Sequence, residues 1–237
     1  MKKAIVIGAS SGIGNALAKL LVHNNYKVGI TARRSKELES LKQTAPTHFI
    51  ISSFDCTTAE NSAKIEELVH KLGGLDLLIF CSGIGELNHS LNLKIEQETN
   101  KLNVIAFTEI INWSINYFLK KQAGHFVCIS SIAGLRGSKI APAYNASKAY
   151  QINYLEGIRQ KLHQTKLPIY ITDVRPGFVN TRMAKGAGLF WVAPKQKAAQ
   201  QIFRAIKKKR SICYITKRWI IFALLLKNLP HFIYKKL

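Results

Sequence analysis

The sequence predicts a single α/β domain built on a doubly wound, mainly parallel sheet of about seven strands. Three observations support this prediction: short apolar runs alternate with longer amphipathic segments, the runs are nearly all apolar, and the first run ends in a glycine-rich turn. Alternating strands and helices indicate βαβ units, and strands without a polar face indicate a sheet covered on both sides. A length of 237 residues, 47% of them hydrophobic, suits one domain with a substantial core.

Seven runs have the length and composition of strands. They are AIVI (4–7), KVGIT (27–31), HFIIS (48–52), LDLLIFC (75–81), HFVCIS (125–130), IYITDV (169–174) and ICYIT (212–216). Apolar residues at helical spacing predict helices in most of the intervals, over 15–24, 59–72, 95–120, 143–164 and 194–209. The sequence Thr57-Thr58-Ala59-Glu60 predicts a capping box at the start of the second helix.

The N-terminus and the cysteines predict a cytoplasmic protein with reduced thiols. The first residues are basic and precede an apolar run, but the run 4–7 is far too short for a signal-peptide core. The four cysteines have no metal-ligand spacing, so we expect buried, reduced thiols and no metal site. They are Cys56, Cys81, Cys128 and Cys213.

The net charge of +22 is unevenly distributed along the chain. Asp173 is the last acidic residue, and basic clusters follow at 207–210, 217–218 and 235–236. Such a surface could face nucleic acid, anionic lipid or only solvent. The basic clusters lack interleaved aromatic residues on a strand platform, so nucleic acid is the least expected of these partners.

The turn after the first predicted strand has the composition of a phosphate-binding loop. Glycines permit a tight turn and a close approach of backbone to a pyrophosphate, and a following helix offers free N–H groups and its positive dipole end. The strand–turn–helix context favours dinucleotide binding over an ordinary turn. The residues expected to contact the cofactor are Gly8, Ser10, Ser11, Gly12, Ile13 and Gly14.

The end of the second predicted strand indicates which nicotinamide cofactor is bound. A carboxylate there would bond the ribose 2′-hydroxyl of NAD, whereas a basic residue would accept a 2′-phosphate. Arg33 and Arg34 occupy this place, with no acid before Glu37. Because guanidinium groups bind a phosphate monoester through paired hydrogen bonds, we expect NADP(H) in preference to NAD(H). The alternative is a solvated loop in a basic protein.

Further motifs follow in order, and together with the glycine turn they resemble the short-chain dehydrogenase/reductase family. They are GASSGIG (8–14), Asp55 in FDCT, CSG (81–83), LNV (102–104), ISS (129–131), YNASK (144–148) and RPGFVNT (175–181). The resemblance spans residues 3 to about 181, and more loosely to about 216. It implies a Rossmann-like domain over 1–216 and leaves 217–237 as a basic, amphipathic C-terminal extension.

Four residues match the catalytic tetrad of that family: Asn103, Ser131, Tyr144 and Lys148. Tyr144 and Lys148 stand at i and i+4 on one helix face, and a nearby ammonium group stabilises a phenolate. The resemblance implies that Tyr144 protonates the nascent alkoxide, that Ser131 holds the substrate oxygen, and that Lys148 also holds the nicotinamide ribose. Asn103 would support a proton relay through water. Taken singly, each could be an ordinary core, surface or capping residue.

The resemblance also implies cofactor contacts after the third, fourth and sixth strands. They are Asp55, which would contact the adenine, and Cys56, Cys81, Gly83, Pro176, Gly177, Val179 and Thr181. The last four lie in the turn that the family places beside the nicotinamide. The chain departs from the family's Asn-Asn-Ala-Gly after the fourth strand, where it has Phe80-Cys81-Ser82-Gly83. The local hydrogen bonds of the missing asparagine must therefore be made by other groups.

The segment MAKGAGLFWVA, between Thr181 and Pro194, occupies the place of the family's substrate lid. Its aromatic residues Phe190 and Trp191 would suit an apolar substrate, rest on a membrane or pack beneath the next helix. Downstream, the apolar run Trp219–Leu226 is flanked by basic residues. A spanning helix needs about 20 apolar residues, so this run would lie on an anionic membrane surface or pack against the domain or a subunit.

These features predict an NADP(H)-dependent reductase of a small hydrophobic ketone or aldehyde, or the reverse alcohol dehydrogenase. A non-catalytic nucleotide sensor or scaffold with the same fold is the alternative, although such relatives typically lose the tyrosine or the lysine. The family commonly pairs through its two long helices, here 95–120 and 143–164, so a homodimer or homotetramer is expected. We expect a cytoplasmic protein, peripheral on the inner face of a membrane if its C-terminus binds lipid.

Overall fold

The computed structural model describes residues 1–58, 60–184 and 188–235 of the chain, and this part contains one seven-stranded sheet. The strands are β1 (Lys2–Ile7), β2 (Tyr26–Ala32), β3 (Phe49–Ser53), β4 (Leu77–Phe80), β5 (Gly124–Ile129), β6 (Ile169–Pro176) and β7 (Ile212–Ile215). Their order is β3-β2-β1-β4-β5-β6-β7, and every neighbouring pair is parallel. The predicted doubly wound class is confirmed, and all seven strands are parallel.

Helices cover both faces of this sheet. They are α1 (Gly12–His23), α2 (Ser35–Gln43), α3 (Asn61–Leu72), α4 (Leu93–Asn100), α5 (Phe107–Lys121), α6 (Pro142–His163), α7 (Lys195–Lys207), α8 (Trp219–Asn228) and α9 (His231–Tyr234). A π-helical segment, Lys101–Ala106, joins α4 to α5, and a 3₁₀ turn, Ile132–Leu135, precedes α6. Helices α1, α2 and α7 pack on one face, and α3, α5 and α6 pack on the other.

The central strand β1 shows why the strand sequences are mostly apolar. Successive side chains of a strand point to opposite faces of the sheet. Ala4 and Val6 belong to the core beneath α1, α2 and α7, whereas Ile5 and Ile7 belong to the core beneath α3, α5 and α6. Over residues 4–7 neither face of the strand meets solvent, so both sets of positions are apolar.

Two details of the helices differ from the sequence-based expectation. Helix α3 begins at Asn61 and has no side-chain cap, and the hydroxyl groups of Thr57 and Thr58 bond Asp55 instead of the helix. The predicted capping box is therefore wrong, and its member Ala59 lies outside the described residues. Helix α2 was not predicted, because only two of its apolar side chains reach the core.

The C-terminal extension packs beside the carboxyl ends of β5 and β6. Trp219, the first residue of α8, is fully buried, and a Cβ added to Gly177 would fall 2.0 Å from its indole ring. The guanidinium of Arg136, which follows the 3₁₀ turn, donates to the Leu229 carbonyl at 3.0 Å. The Tyr234 hydroxyl of α9 donates to the Gly137 carbonyl. Residues 236–237 of the predicted extension lie outside the described residues.

Candidate active site

The predicted site residues meet at one edge of the sheet. Parallel strands all end at the same edge, and doubly wound proteins bind ligands there. Six strands each deliver residues to this edge: Gly8–Gly14 after β1, Arg33 and Arg34 after β2, Asp55 and Cys56 after β3, Cys81 and Gly83 after β4, Ser131 after β5, and Pro176–Thr181 at the end of β6. Asn103 comes from the π-helical segment, and Tyr144 and Lys148 come from α6.

The glycine loop has the backbone geometry that only glycine adopts readily. Gly8 and Gly12 have positive φ angles of 90° and 59°. A Cβ on Gly14 would lie 2.2 Å from the Gly8 carbonyl oxygen, so the loop could not close over a larger residue. The amides of Gly8 and Ala9 both donate to the Thr31 carbonyl, at 2.9 and 3.0 Å. The loop is thereby fixed to the end of β2, and the N-terminus of α1 faces the sheet edge.

Arg34 lies directly against the glycine loop. Its Nη2 donates to the hydroxyl oxygens of Ser10 and Ser11 at 2.7 and 2.8 Å, and its Nη1 pairs with Glu37 at 3.1 Å. A guanidinium group and two hydroxyl groups therefore meet at the N-terminus of α1. All are suitable partners for a phosphate group.

Asp55 is held as a carboxylate at the end of β3. Partial burial raises its pKa, but hydrogen bonds from the Thr57 amide and hydroxyl and the neighbouring Arg33 outweigh burial, so the pKa lies below its usual value. The Arg33 guanidinium is 3.5 Å from the carboxylate in a largely exposed pair. Exposed pairs of this kind contribute little to stability, so Arg33 can exchange this partner for a ligand at low cost.

Asn103 connects the segment after β4 to α6. Its amide oxygen accepts from the Ile84 amide at 3.0 Å, and its amide nitrogen donates to the Ile84 carbonyl at 2.7 Å and the Ser147 hydroxyl at 3.0 Å. The residue is fully buried within a π-helical segment, a feature often found at functional sites. Its side chain therefore acts as a cross-link, and its main-chain carbonyl points to a different partner, Gln151.

Lys148 carries a buried ammonium group, and its side chain lies beside the carboxyl end of β5. Only 2% of the residue is exposed. The Nζ atom donates to the Ile129 carbonyl at 3.1 Å and to the Gln151 side-chain oxygen at 3.0 Å. It lies 5.9 Å from the centre of the Tyr144 ring. The predicted pair of Tyr144 and Lys148 on one helix face is therefore present.

Tyr144 is half-buried, with its ring packed on Gly85 and its hydroxyl toward the lid segment. A Cβ on Gly85 would fall 2.4 Å from the tyrosine ring. The hydroxyl lies 3.8 Å from the Met183 sulfur, so an apolar side chain borders the group that would carry the proton. Part of the predicted lid, 185–187, lies outside the described residues.

Ser131 caps the 3₁₀ turn and also faces the site edge. Its hydroxyl oxygen accepts from the Ala133 amide at 3.1 Å, which leaves the hydroxyl hydrogen for a further acceptor. Gly134 fixes this turn against α6, since a Cβ there would lie 2.6 Å from the Lys148 carbonyl carbon. The capping role and the predicted site role of Ser131 are thus compatible.

The segment after β4 passes between the glycine loop and the lysine. A Cβ on Gly83 would lie 3.4 Å from both the Asn103 side-chain oxygen and the Lys148 Nζ. Burial raises the pKa values of Cys56 and Cys81 to about 12. Both thiols are therefore neutral at physiological pH, and neither has the character of a nucleophile.

The turn after β6 lies between the end of β7 and the glycine loop. The Gly177 amide donates to the Ile215 carbonyl at 2.8 Å, and Val179 forms a parallel bridge with Ala193. A Cβ on Gly12 would lie 3.2 Å from a Thr181 methyl group. The predicted turn residues therefore border the glycine loop, as a cofactor spanning both would require.

Sequence analysis missed two neighbours of this site, Gln151 and Met183. Gln151 stands three residues after Lys148 and seven after Tyr144, which is the spacing of one helix face and could have indicated it. Met183 is the first residue of the predicted lid segment, but its contact with the Tyr144 hydroxyl, 39 residues away, was not predicted. Within the described ranges, no three His, Cys, Asp or Glu side chains group as a metal site would require.

A glycine loop before the first helix of a doubly wound parallel sheet defines a dinucleotide-binding protein. A model of the short chain dehydrogenase family matches residues 2–189 of the chain. The chain belongs to this family and is an NAD(P)-dependent oxidoreductase. It is 30% identical over 242 residues to an Arabidopsis thaliana protein named 11-beta-hydroxysteroid dehydrogenase-like 2, covering 96% of this chain and 77% of that protein.

Solved structures share the fold. A short chain dehydrogenase/reductase from Burkholderia phymatum in complex with NAD has a TM-score of 0.84 at 19% identity, covering 94% of this chain and 92% of that one. A short-chain dehydrogenase from Sphingobium yanoikuyae in complex with NADPH has a TM-score of 0.82 at 18% identity, covering 98% and 97%. At these identities the likeness concerns the fold.

Replacing Gly85 by alanine should impair nicotinamide-dependent turnover without unfolding the protein. The added methyl group would displace the Tyr144 ring, and a displacement of about 1 Å at a reacting group can lower the rate on the order of 100-fold. Gly157→Ala is the matched control, because nothing lies within 4 Å of its added Cβ; it should raise stability by about 1 kcal/mol and leave turnover unchanged. Equal turnover in both variants would show that the ring position does not matter.

Proposed function

We propose that the protein is an NADPH-dependent reductase of small hydrophobic ketones or aldehydes, with Tyr144 as the proton donor. The observation that carries this proposal is the buried Lys148 ammonium beside Tyr144 on α6. Asn103 bonds Ser147 of the same helix, and the 3₁₀ turn capped by Ser131 packs against that helix through Gly134. A nucleotide sensor or scaffold of the same fold would not require this arrangement. We therefore favour an enzyme over that alternative.

Each group has a role that follows from its chemistry. The Ser131 hydroxyl donates a hydrogen bond to the substrate carbonyl oxygen, and the Tyr144 hydroxyl donates a proton to that oxygen as negative charge develops there. The Lys148 ammonium stabilises the resulting phenolate and donates to the cofactor ribose. When bound, the nicotinamide supplies the hydride for the carbonyl carbon. Asn103 holds the Ile84 segment against α6, so that Ser131, Tyr144 and Lys148 keep their relative positions.

The residues at the end of β2 fit a cofactor with a 2′-phosphate. Arg34 supports NADPH because its guanidinium already contacts the glycine loop through Ser10 and Ser11. Arg33 adds a second guanidinium on the exposed side. A site for NAD would be expected to carry an acid at this place. The two carboxylates nearby, Glu37 and Asp55, are already paired with Arg34 and Arg33. Solved relatives bind NAD in one case and NADPH in another, so the preference rests on these side chains.

The lining beside Tyr144 supports an apolar substrate. Met183 borders the Tyr144 hydroxyl. The rest of the described lid carries Phe190 and Trp191, which contact each other and the α8 residue Trp219 through their aromatic rings. The Arabidopsis thaliana relative is named for a hydroxysteroid, an apolar alcohol. Reduction of a lipid-like ketone is therefore the reaction that we propose.

We also propose that the protein is cytoplasmic and binds the inner face of a membrane peripherally through α8 and α9. No helix in the described ranges has the length and apolar character needed to cross a bilayer. Helix α8 buries Trp219 and Ala223 and exposes the opposite face, where Ile221 and Leu225 are 66% and 65% exposed. Phe232 of α9 is 63% exposed. An apolar face of this kind suits shallow insertion at a lipid interface.

The charges around this face fit an anionic bilayer. Lys217, Arg218, Lys227 and Lys235 are exposed along the two helices, and the sequence has no acidic residue after Asp173. Each basic group near a membrane of anionic lipid adds roughly 1 kcal/mol of attraction. A second copy of the chain, which carries the same positive charge on this face, would be repelled. The dimer that we expect instead uses the long helices, 95–120 and 143–164.

Tyr144→Phe should abolish turnover while cofactor binding persists. The variant lacks the proton donor but keeps the ring on Gly85 and the Lys148 network. We expect NADPH oxidation with an apolar ketone to fall by roughly 10²–10⁴-fold, the usual contribution of a general acid, and the NADPH dissociation constant to change less than about threefold. Tyr234→Phe, which removes a hydroxyl group outside the site, should retain activity. Wild-type turnover by Tyr144→Phe would refute the assigned donor.

Arg34→Ala should weaken binding of NADPH and not of NADH. Losing a charged hydrogen-bond donor to the 2′-phosphate costs about 2 kcal/mol, on the order of thirtyfold in affinity. NADH has a hydroxyl group in that place, so its affinity should change less than about twofold. Fluorescence titration of both cofactors measures the ratio, with the exposed Arg204→Ala as the control for loss of positive charge. Equal losses for both cofactors would contradict the NADPH preference.

Replacing the exposed apolar residues of α8 should release the protein from vesicles. We expect the full chain to sediment with phosphatidylserine-containing vesicles, more weakly at high salt, and Ile221→Gln/Leu225→Gln to bind at least about tenfold more weakly. Leu91→Gln/Leu93→Gln is the matched control, since these leucines are 66% and 67% exposed in another part of the chain. The absence of wild-type sedimentation would refute the proposal. So would conversion of a dimer to a monomer by the α8 variant, which would show a subunit contact.

A further inference from the structure

Lys148 is a buried cation among neutral groups. The ion pairs of the described residues do not include it. The titratable groups that face it are Tyr144 on its own helix, Cys81 after β4 and Cys128 on β5. Burial raises the pKa values of both thiols, so neither supplies a negative charge. A buried ammonium group without a counter-ion requires good hydrogen-bond acceptors.

Gln151 provides one of these acceptors and is itself fully buried. Its side-chain oxygen accepts from the Lys148 Nζ at 3.0 Å and faces the Cys128 thiol at 3.7 Å. Its side-chain nitrogen donates to the Asn103 main-chain carbonyl at 2.8 Å. The two contacts fix the orientation of the amide, because an ammonium group needs an acceptor and a carbonyl needs a donor. One side chain thus connects the lysine to the asparagine.

We propose that Gln151 is a positioning residue that aims the Lys148 ammonium at Tyr144 and the cofactor while leaving its charge unneutralised. A carboxylate in the same place would hold the lysine equally well but would cancel the positive charge on which the tyrosine depends. The amide of Gln151 accepts the hydrogen bond from the ammonium group and leaves its positive charge in place. The Ile129 carbonyl and Gln151 use two of the three ammonium donors, which leaves the third for the ligand.

Gln151→Glu separates positioning from charge, and its interpretation rests on the proposed reduction. The substitution keeps the shape of the side chain and places a carboxylate about 3 Å from the ammonium group. Because the phenolate form of Tyr144 is then less stabilised, we expect the alkaline limb of the pH–rate profile for ketone reduction to rise by about one pH unit. Gln160→Glu is the matched control, since Gln160 is exposed on the same helix; its profile should match that of the wild type.

Gln151→Met tests the same role without requiring turnover. It preserves the volume of the side chain and removes both hydrogen bonds, so the ammonium group loses its fixed direction. We expect the NADPH dissociation constant to rise about tenfold, as measured by fluorescence titration at pH 7.

The outcomes distinguish this inference from the proposed function. If the wild type binds NADPH but reduces no ketone, the proposed reaction fails, and the NADPH affinity of Gln151→Met still decides the role of Gln151. If the wild type reduces ketones while the Glu variant keeps its pH profile and the Met variant keeps its NADPH affinity, the role is only to fill the core. A lower unfolding temperature alone would support that simpler role and overturn the inference.

Discussion

The parallel register of the sheet is the constraint on which the rest of the structure depends. Because every neighbouring pair of strands is parallel, every strand enters its following segment at the same edge. Residues that lie far apart in the sequence, such as Gly12 and Thr181, therefore meet at this edge. The helices that return the chain must then cover both faces, which is why the strand sequences carry no polar side. The parallel pairing of the strands therefore determines both the layered fold and the position of the candidate site.

Sequence alone predicted the seven strands and most of the helices, and it placed candidate site residues at the carboxyl ends of strands, because these features depend on local periodicity and on motifs of a known family. It did not predict contacts that depend on packing. Helix α2 buries only Leu38 and Leu41, too few for a clear pattern. Thr57 and Thr58 have the composition of a helix cap, but Asp55 competes for their hydroxyl groups. Met183 reaches Tyr144 through the fold alone.

The polar interior of the site shows how a charge can be buried without being neutralised. Lys148 is surrounded by main-chain and amide oxygens, and the main-chain carbonyl of Asn103 in turn accepts from Gln151. Asn103 contacts Ile84 through its side chain and Gln151 through its main-chain carbonyl. Several hydrogen bonds hold this network together. They join α6 to the segment after β4, to the end of β5 and to the π-helical segment.

The aromatic contacts between the lid and α8 give the protein a natural optical probe. Of its three tryptophans, Trp191 and Trp219 lie 5.4 Å apart, ring centre to ring centre, whereas Trp113 lies on α5 and stacks on Tyr117. Trp219 is buried and Trp191 is half-exposed, so their emission differs in its sensitivity to water. The intrinsic fluorescence of the chain therefore reports chiefly on the junction between the lid and the C-terminal helix, without any added dye.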